Sequence, residues 1–280
     1  MFGNIVGHEK QKEILSKSIE NGNISHAYLF FGNSGIGKYA LAREFAKEIL
    51  KTDNLDNHPD FKVISKREDK KDIIVEQIRE ELIDSVYIVP AAGDRKIYII
   101  NDAQYLNIAA QNTLLKTLEE PPKYITIILV ASNLSAFLTT ILSRVNQVPF
   151  EGISKSQLKE YMLTKYNVNF KDNILEYIDG SIGKAIDIIN SKLLDKFEEV
   201  DKFYEYLNAG NTIEAMKISN EIEFDKNDLL DYLEFTLYKN SKFNCVKIIE
   251  NAKNRLKSNG NYDIIIDSML LRLIDNIKEV

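Results

Sequence analysis

Residues 32–38 read GNSGIGK and fit the pattern G-x-x-x-x-G-K. The loop follows a short apolar segment, Ala27 to Phe31, and opens a helical pattern from Lys38 to about Lys51. A strand, a glycine-rich turn and a helix in this order are the context in which the pattern holds phosphate. Glycines let successive N–H groups turn inward, and the start of the helix adds partial positive charge. The sequence therefore predicts a phosphate loop, with an unliganded glycine-rich turn as the alternative.

The predicted nucleotide-binding residues are those of the loop and its flank. Lys38 is expected to reach the β and γ phosphates of ATP. The residues of the loop are Gly32, Asn33, Ser34, Gly35, Ile36, Gly37, Lys38 and Tyr39.

The first 150 residues alternate strand-like and helix-like segments, which predicts an α/β P-loop domain with a parallel sheet. Lys96 to Ile100 and Ile125 to Ala131 are continuous apolar runs, as in strands covered on both faces. After Gly152 almost every segment has a helical pattern, with Gly180, Gly183 and Gly210 predicted as breaks. Aromatic stretches at 197–207 and 232–238 are expected in a bundle core. We predict a P-loop domain at 1–150, a small helical lid domain at 151–191 and a helical collar domain at 192–280.

Two positions weaken the expected magnesium site. A phosphate loop of this kind has Ser or Thr after its lysine, and this chain has Tyr39. The metal-binding Asp that follows the second motif strand is replaced by Asn101, a poorer ligand for a hard dication. Asp102 comes next and is shorter than the Glu that often orients water there; a helix-capping or loop-anchoring role is the alternative. Hydrolysis by this chain is expected to be slow or absent.

Charge, cysteine content and hydropathy exclude several classes of protein. The 280 residues carry a net charge of −6, which argues against a protein that grips nucleic acid alone over a large surface. A single cysteine, Cys245, excludes a disulfide framework and a multi-cysteine zinc site. The chain has no apolar run long enough to span a bilayer and no signal-peptide pattern at its start, so the expected compartment is the cytoplasm.

A second stretch carries a family resemblance. Residues 112–122 read NTLLKTLEEPP and resemble a helix of the bacterial clamp-loader subunits of DNA polymerase III. Ser143-Arg144-Val145 falls where that AAA+ family has Ser-Arg-Cys, and residues 180–185 (GSIGKA) resemble its GSxGxA stretch. Three short segments also match that family: IVGH at 5–8, SHAYL at 25–29 and HPD at 58–60. The resemblance covers roughly residues 1–190.

The resemblance implies roles for further residues. It makes Arg144 an arginine finger that acts in trans on ATP held by a neighbouring subunit, with a surface salt bridge as the alternative. It puts Asn133 where a γ-phosphate is sensed, Lys184 where a sensor arginine stands, and Ile5 and Val6 beside adenine; a solvated helix position is the alternative for Lys184. Lys116 would face DNA backbone phosphates.

Within the family, the delta-prime type fits better than the motor type, gamma or tau. The motor type has Ser or Thr after the loop lysine, an Asp-Glu pair and a four-cysteine zinc module, and this chain departs on all three. The implied partners are the gamma or tau and delta subunits, with the sliding clamp and primed DNA reached through the assembly. Polymerisation would belong to other subunits. Two alternatives stay open: a catalytically active motor subunit, and a separate P-loop machine such as a helicase loader or branch-migration motor.

Overall fold

The phosphate loop follows one strand of a five-stranded parallel sheet. The computed structural model describes residues 1–222, 224, 227–258 and 260–277. The strands have the order β2-β3-β4-β1-β5, and every pairing is parallel. Their bounds are β1 Ala27–Phe31, β2 Phe61–Ile64, β3 Lys96–Ile100, β4 Ile125–Ala131 and β5 Asn146–Pro149. Strands β3 and β4 are buried at every position, which confirms the parallel sheet expected from their apolar runs.

Helices connect the strands, and every regular element that follows β5 in the described residues is a helix. Those of the sheet region are α1 Glu9–Glu20, α2 Lys38–Leu50, α3 Val75–Ile78, α4 Asp84–Val86, α5 Ile108–Glu119 and α6 Thr139–Leu142. Those that follow are α7 Lys155–Tyr166, α8 Asp172–Ile178, α9 Ile182–Asn190, α10 Leu194–Asn208, α11 Thr212–Ser219, α12 Asn227–Lys239, α13 Phe243–Lys257 and α14 Tyr262–Asn276. None of the helices in the described ranges is long and apolar enough to cross a membrane.

Helices cover both faces of the sheet. Leu15 of α1 and Phe45 of α2 pack with strand residues in one buried cluster. Ile78 of α3, Leu114 of α5 and Ile141 of α6 pack in a second cluster that contains the alternate strand residues. Alternate side chains of a strand point to opposite faces, so the sheet is the middle layer of three.

The described chain separates into two compact units. The first contains Met1–Lys171 and Ile178–Lys184, and the second contains Asp172–Tyr177 and the described residues from Ala185 onward. The division into three domains at 1–150, 151–191 and 192–280 stays a prediction. Residues 223, 225, 226, 259 and 278–280 of its last segment lie outside the described residues.

An aromatic core with a buried polar centre holds the second unit. The ring of Phe197 stacks on Tyr232 with centroids 4.4 Å apart, and Tyr177 meets Tyr232 edge-on at 5.0 Å. The Tyr232 hydroxyl donates to Asp201 Oδ1 at 2.8 Å and accepts from Asn173 Nδ2 at 2.8 Å. Asn173 also donates to Asp201 Oδ2. Burial, with the Asp201 charge, raises the pKa of Tyr232, so its hydroxyl stays protonated and remains a donor.

Two local expectations are wrong. Gly183 is the second residue of α9 and does not break the chain there. Tyr238 is 64% exposed, because six helical residues turn it about 120° away from the buried face of Tyr232. A wide π turn at Arg79–Ile83 joins α3 to α4, so the segment from Val75 to Val86 is helical throughout.

The polar centre of the second unit predicts a stability effect. Tyr232→Phe keeps the ring packing but removes the hydroxyl between Asn173 and Asp201, two groups drawn from distant helices. We expect the free energy of unfolding to fall by about 1–3 kcal/mol, the cost of disrupting a buried hydrogen-bond arrangement. Urea denaturation followed by circular dichroism measures it. Tyr206→Phe, at an exposed position of α10, is the matched control, and equal effects of the two changes would contradict the structural role.

Candidate functional site

The loop between β1 and α2 has the backbone of a phosphate cradle. Gly32, Gly35 and Gly37 have φ angles of 147°, 74° and 103°, in the region that favours glycine. A Cβ at Gly32 would lie 2.2 Å from the carbonyl oxygen of Phe150, so close approach also requires glycine there.

Five consecutive carbonyl groups of the loop, at residues 32–36, each accept a hydrogen bond. Lys38 Nζ donates to the first two at 2.7 and 2.5 Å. Ser181 Oγ donates to Ser34 at 3.0 Å, the Gly183 N–H to Gly35 at 2.8 Å, and His8 Nε2 to Ile36 at 2.7 Å. A trans peptide directs its C=O and N–H in opposite directions. Fixing the carbonyl groups therefore also fixes the N–H groups that an anion would meet.

His8 supports the loop from α1. Its pKa is lowered by burial, so the imidazole is neutral near pH 7 and carries one N–H. Because the Ile36 carbonyl can only accept, that N–H is on Nε2. The edge of the ring packs on Phe150, with centroids 5.0 Å apart.

A cleft of about 320 Å³ opens beside the loop. The Lys38 side chain is almost fully buried there, and burial lowers its pKa while the Asp102 charge opposes the shift. The lining residues are Ser34, Gly35, Gly37, Lys38, Tyr39, Ala40, Asn101, Asp102, Val130, Ala131 and Ser132. These come from the carboxyl ends of β1, β3 and β4, which meet at one edge of the parallel sheet. The arrangement suits a phosphate group.

The side chains at the positions of the expected magnesium ligands have other partners in this cleft. The hydroxyl of Tyr39 accepts from Arg43 Nη1 at 3.4 Å, away from the loop. The Asn101 amide donates to Asp102 Oδ2 at 3.1 Å, and Gln104 donates to Asp102 Oδ1 at 3.2 Å. Both carboxylate oxygens thus have amide partners. Across the described ranges, no group of three or more His, Cys, Asp or Glu side chains is arranged to hold a metal ion.

Asp102 is a loop anchor rather than a side-chain cap. It precedes a short 3₁₀ turn at Ala103–Tyr105, and its carboxylate makes no capping hydrogen bond there. Its partner Gln104 accepts in turn from the Ser132 N–H at 3.1 Å, which ties the end of β3 to the end of β4. The capping alternative is therefore wrong for this side chain.

The other expected nucleotide contacts lie around the cleft or apart from it. Asn133 Oδ1 accepts from Ser135 and from the Ala136 N–H, so its amide nitrogen is the atom that would meet a phosphate. Lys184 lies in the first turn of α9, and its N–H donates to Ser181 Oγ. Val6 lines a separate cavity of about 590 Å³ against α7, and the Ile5 carbonyl accepts from Lys12. Their roles toward a nucleotide stay predictions.

Arg144 lies at the opposite edge of the sheet. It precedes β5, which begins opposite Tyr28 near the start of β1, whereas the phosphate loop follows the end of β1. The five residues of β1 separate the two by about 16 Å. The guanidinium donates from Nη1 to the Thr140 carbonyl at 2.9 Å and to Ser143 Oγ at 3.1 Å, and its Nη2 lies 2.8 Å from Glu119 Oε1. The salt-bridge alternative thus describes a real contact of this residue.

Gln111 is a structural junction that sequence reasoning missed. It is buried in α5, donates to the carbonyls of Leu106 and Ala136, and accepts from the Leu138 N–H. It joins α5 to the segment between β4 and α6. The signal was present, because Gln111 precedes Leu114 and Leu118 by three and seven residues and so shares their buried helix face.

The fold and the loop define a P-loop protein of the AAA+ class. Residues 7–154 match the family model described as DNA polymerase III, delta subunit. This match spans more than half of the chain, so the chain belongs to the DNA polymerase III delta-subunit-like family of clamp-loader AAA+ proteins.

Individual relatives carry two kinds of name. The DNA polymerase III subunit tau/gamma of Haemophilus influenzae is 33% identical over 215 residues, which is 69% of this chain and 31% of that protein. The chain thus spans about a third of the length of such relatives. The subunit delta′ of Pseudomonas aeruginosa is 35% identical over 150 residues, 47% of this chain and 45% of that protein. A gamma subunit-related protein of Thermotoga maritima has a similar fold, with a TM-score of 0.55 and 17% identity over 96% of this chain and 99% of that one.

The close approach of the loop to the start of α9 predicts a steric effect. A Cβ at Gly35 would lie 2.3 Å from Ser181 Oγ, whereas a Cβ at Gly22, which has a similar positive φ of 64°, would meet nothing within 4 Å. Gly22→Ala is therefore a matched control for backbone strain, about 1–2 kcal/mol. We expect Gly35→Ala to cost about 1–3 kcal/mol more. Equal midpoints in urea denaturation would contradict this contact.

Proposed function

We propose that this chain is a delta-prime-type subunit of a DNA polymerase III clamp loader. In this role it is a scaffold in the loader ring, supplies Arg144 to ATP held by a neighbouring subunit, and itself hydrolyses ATP slowly or not at all. Its partners are the gamma or tau subunits and delta. It reaches the sliding clamp and primed DNA through the assembled complex, and polymerisation belongs to other subunits.

The position of Arg144 is the observation that carries this proposal. The guanidinium lies at the edge of the sheet where β4 and β5 begin, and the loop of the same chain lies at the other edge. About 16 Å of strand between them excludes an action of Arg144 on a phosphate bound by its own loop. A fixed guanidinium stabilises the charge that develops on a transferred phosphoryl group. A phosphate on another subunit is the substrate that this geometry allows.

The cleft supports the second half of the proposal. Tyr39 and Asn101 replace two metal ligands of active P-loop enzymes, and their polar atoms are engaged with Arg43 and Asp102. The phosphate cradle is formed without them. We infer that the loop holds the phosphates of ATP or ADP through backbone N–H groups and Lys38, with little help from magnesium.

An active motor subunit of the gamma or tau type is the second candidate. It is favoured by the relatives of that name, which match 69% of the chain, against 47% for the delta′ relative. ATP hydrolysis by the chain alone, abolished by Lys38→Ala, would decide for it.

Nucleotide binding without a metal is directly measurable. Titration calorimetry with ADP is expected to give dissociation constants in EDTA and in magnesium that differ by less than about threefold, because the hard-cation ligands are missing. Lys38→Ala is expected to weaken binding about 10- to 100-fold, since it removes a charged hydrogen-bond donor. Lys10→Ala, an exposed lysine of α1, is the control. Tighter binding by tenfold or more in magnesium would instead support the motor assignment.

The finger role requires the assembled complex. With the gamma or tau and delta subunits, clamp and primed DNA, the chain is expected to raise ATP turnover. Arg144→Ala is expected to slow hydrolysis at the neighbouring site by about 10³-fold or more, so that only turnover at other sites remains. Arg79→Ala, an exposed arginine of the same unit, is the control. A mutant complex that assembles and retains full turnover would refute the role.

A further inference from the structure

The contact between Arg144 and Glu119 joins two parts of the first unit. Glu119 is the last residue of α5, and its Oε1 lies 2.8 Å from Arg144 Nη2. Arg144 follows α6, whose Thr140 carbonyl and Ser143 hydroxyl accept from Nη1. The guanidinium is thus held from two sides, by a carboxylate on one and by a helix end on the other.

The elements that carry Glu119 and Arg144 are packed against each other. Val145, next to Arg144, is buried in the same cluster as Leu114 and Leu118 of α5. Gln111 ties the other end of α5 to the segment that leads into α6. Both residues of the pair therefore project from elements that are packed against each other. The arginine side chain itself is 32% exposed, so it remains accessible to another molecule.

Nη1 donates two hydrogen bonds and Nη2 forms an ion pair with Glu119, which leaves the Nε N–H for a further acceptor. A free arginine side chain would lose much rotamer freedom on meeting a phosphate. A guanidinium that is already held loses less, and this is the advantage of a preorganised group.

We propose that Glu119 is a positioning residue that holds the Arg144 guanidinium in the orientation needed by a phosphate on a neighbouring subunit. The Glu119 carboxylate would act by fixing the orientation of the guanidinium. Its negative charge by itself would weaken the attraction of Arg144 for a phosphate. This inference rests on the proposed finger role of Arg144. An opposite role, in which Glu119 restrains Arg144 and lowers activity, is an outcome that the experiment separates.

The test compares four variants in the reconstituted complex, where ATP turnover is measured with clamp and primed DNA. Glu119→Ala is expected to lower the turnover stimulated by this chain about two- to fivefold, the size of effect that an exposed ion pair supports. Glu119→Gln, which keeps an oxygen acceptor at the same reach, is expected to retain most of it. Adding Glu119→Ala to Arg144→Ala is expected to have no further effect, because the carboxylate acts only through the arginine.

Glu120→Ala is the matched control, since Glu120 is the neighbouring exposed carboxylate and makes none of these contacts. Size-exclusion chromatography confirms that each variant assembles. If Arg144→Ala is defective, three outcomes would overturn the positioning role. They are wild-type turnover in Glu119→Ala, additive losses in the double variant, and higher turnover in both Glu119 variants. Unchanged turnover in Arg144→Ala would instead overturn the proposed function and this inference with it.

Discussion

The common direction of the five strands is the constraint that separates the phosphate loop from Arg144. Because all five strands run the same way, everything that follows a strand lies at one edge of the sheet and everything that precedes one lies at the other. The phosphate loop, Asn101 and Ser132 follow strands and gather around one cleft. Glu119 and Arg144 precede strands and meet at the opposite edge. A single chain therefore has the phosphate loop at one edge of the sheet and Arg144 at the other, about 16 Å apart along β1.

The conformation of the phosphate loop depends on hydrogen bonds to its carbonyl groups, which point away from the N–H groups. A loop whose N–H groups face an anion must direct its carbonyl groups elsewhere, and unpaired buried carbonyl groups are costly. Here residues far apart in sequence supply the donors: His8 before the sheet, and Ser181 and Gly183 at the start of α9. Glycine at 35 and at 183 allows the approach, because a Cβ at Gly183 would lie 2.9 Å from the Gly35 Cα. The conformation of the loop thus depends on the segment from Ser181 to Gly183, which belongs to the same compact unit.

The features that the sequence predicted well are local ones. The three strands at Ala27–Phe31, Lys96–Ile100 and Ile125–Ala131 follow from apolar runs, and the structure confirms the α/β fold with a helical remainder. Prediction was less successful where contacts between distant segments decide. Gly183 looked like a helix break because nothing local shows that Gly35 packs against it. The hydrogen bond from His8 to Ile36 spans 28 residues, and the pair of Glu119 with Arg144 spans 25, so neither is visible as a periodic pattern. Gln111 was also missed, although helical spacing alone puts it on the buried face of α5.

The hydrogen bonds that shape the phosphate loop do not involve the two positions that depart from the metal-binding pattern. The donors that shape the loop are His8, Lys38, Ser181 and Gly183, and neither Tyr39 nor Asn101 is among them. Replacing the two metal ligands therefore leaves the cradle intact, while Arg43 and Asp102 satisfy the new side chains. Arg144 is independent of both, because its three contacts come from α5 and α6 at the other edge of the sheet. The residues at the two metal-ligand positions therefore disturb neither the hydrogen bonds of the loop nor the contacts of Arg144.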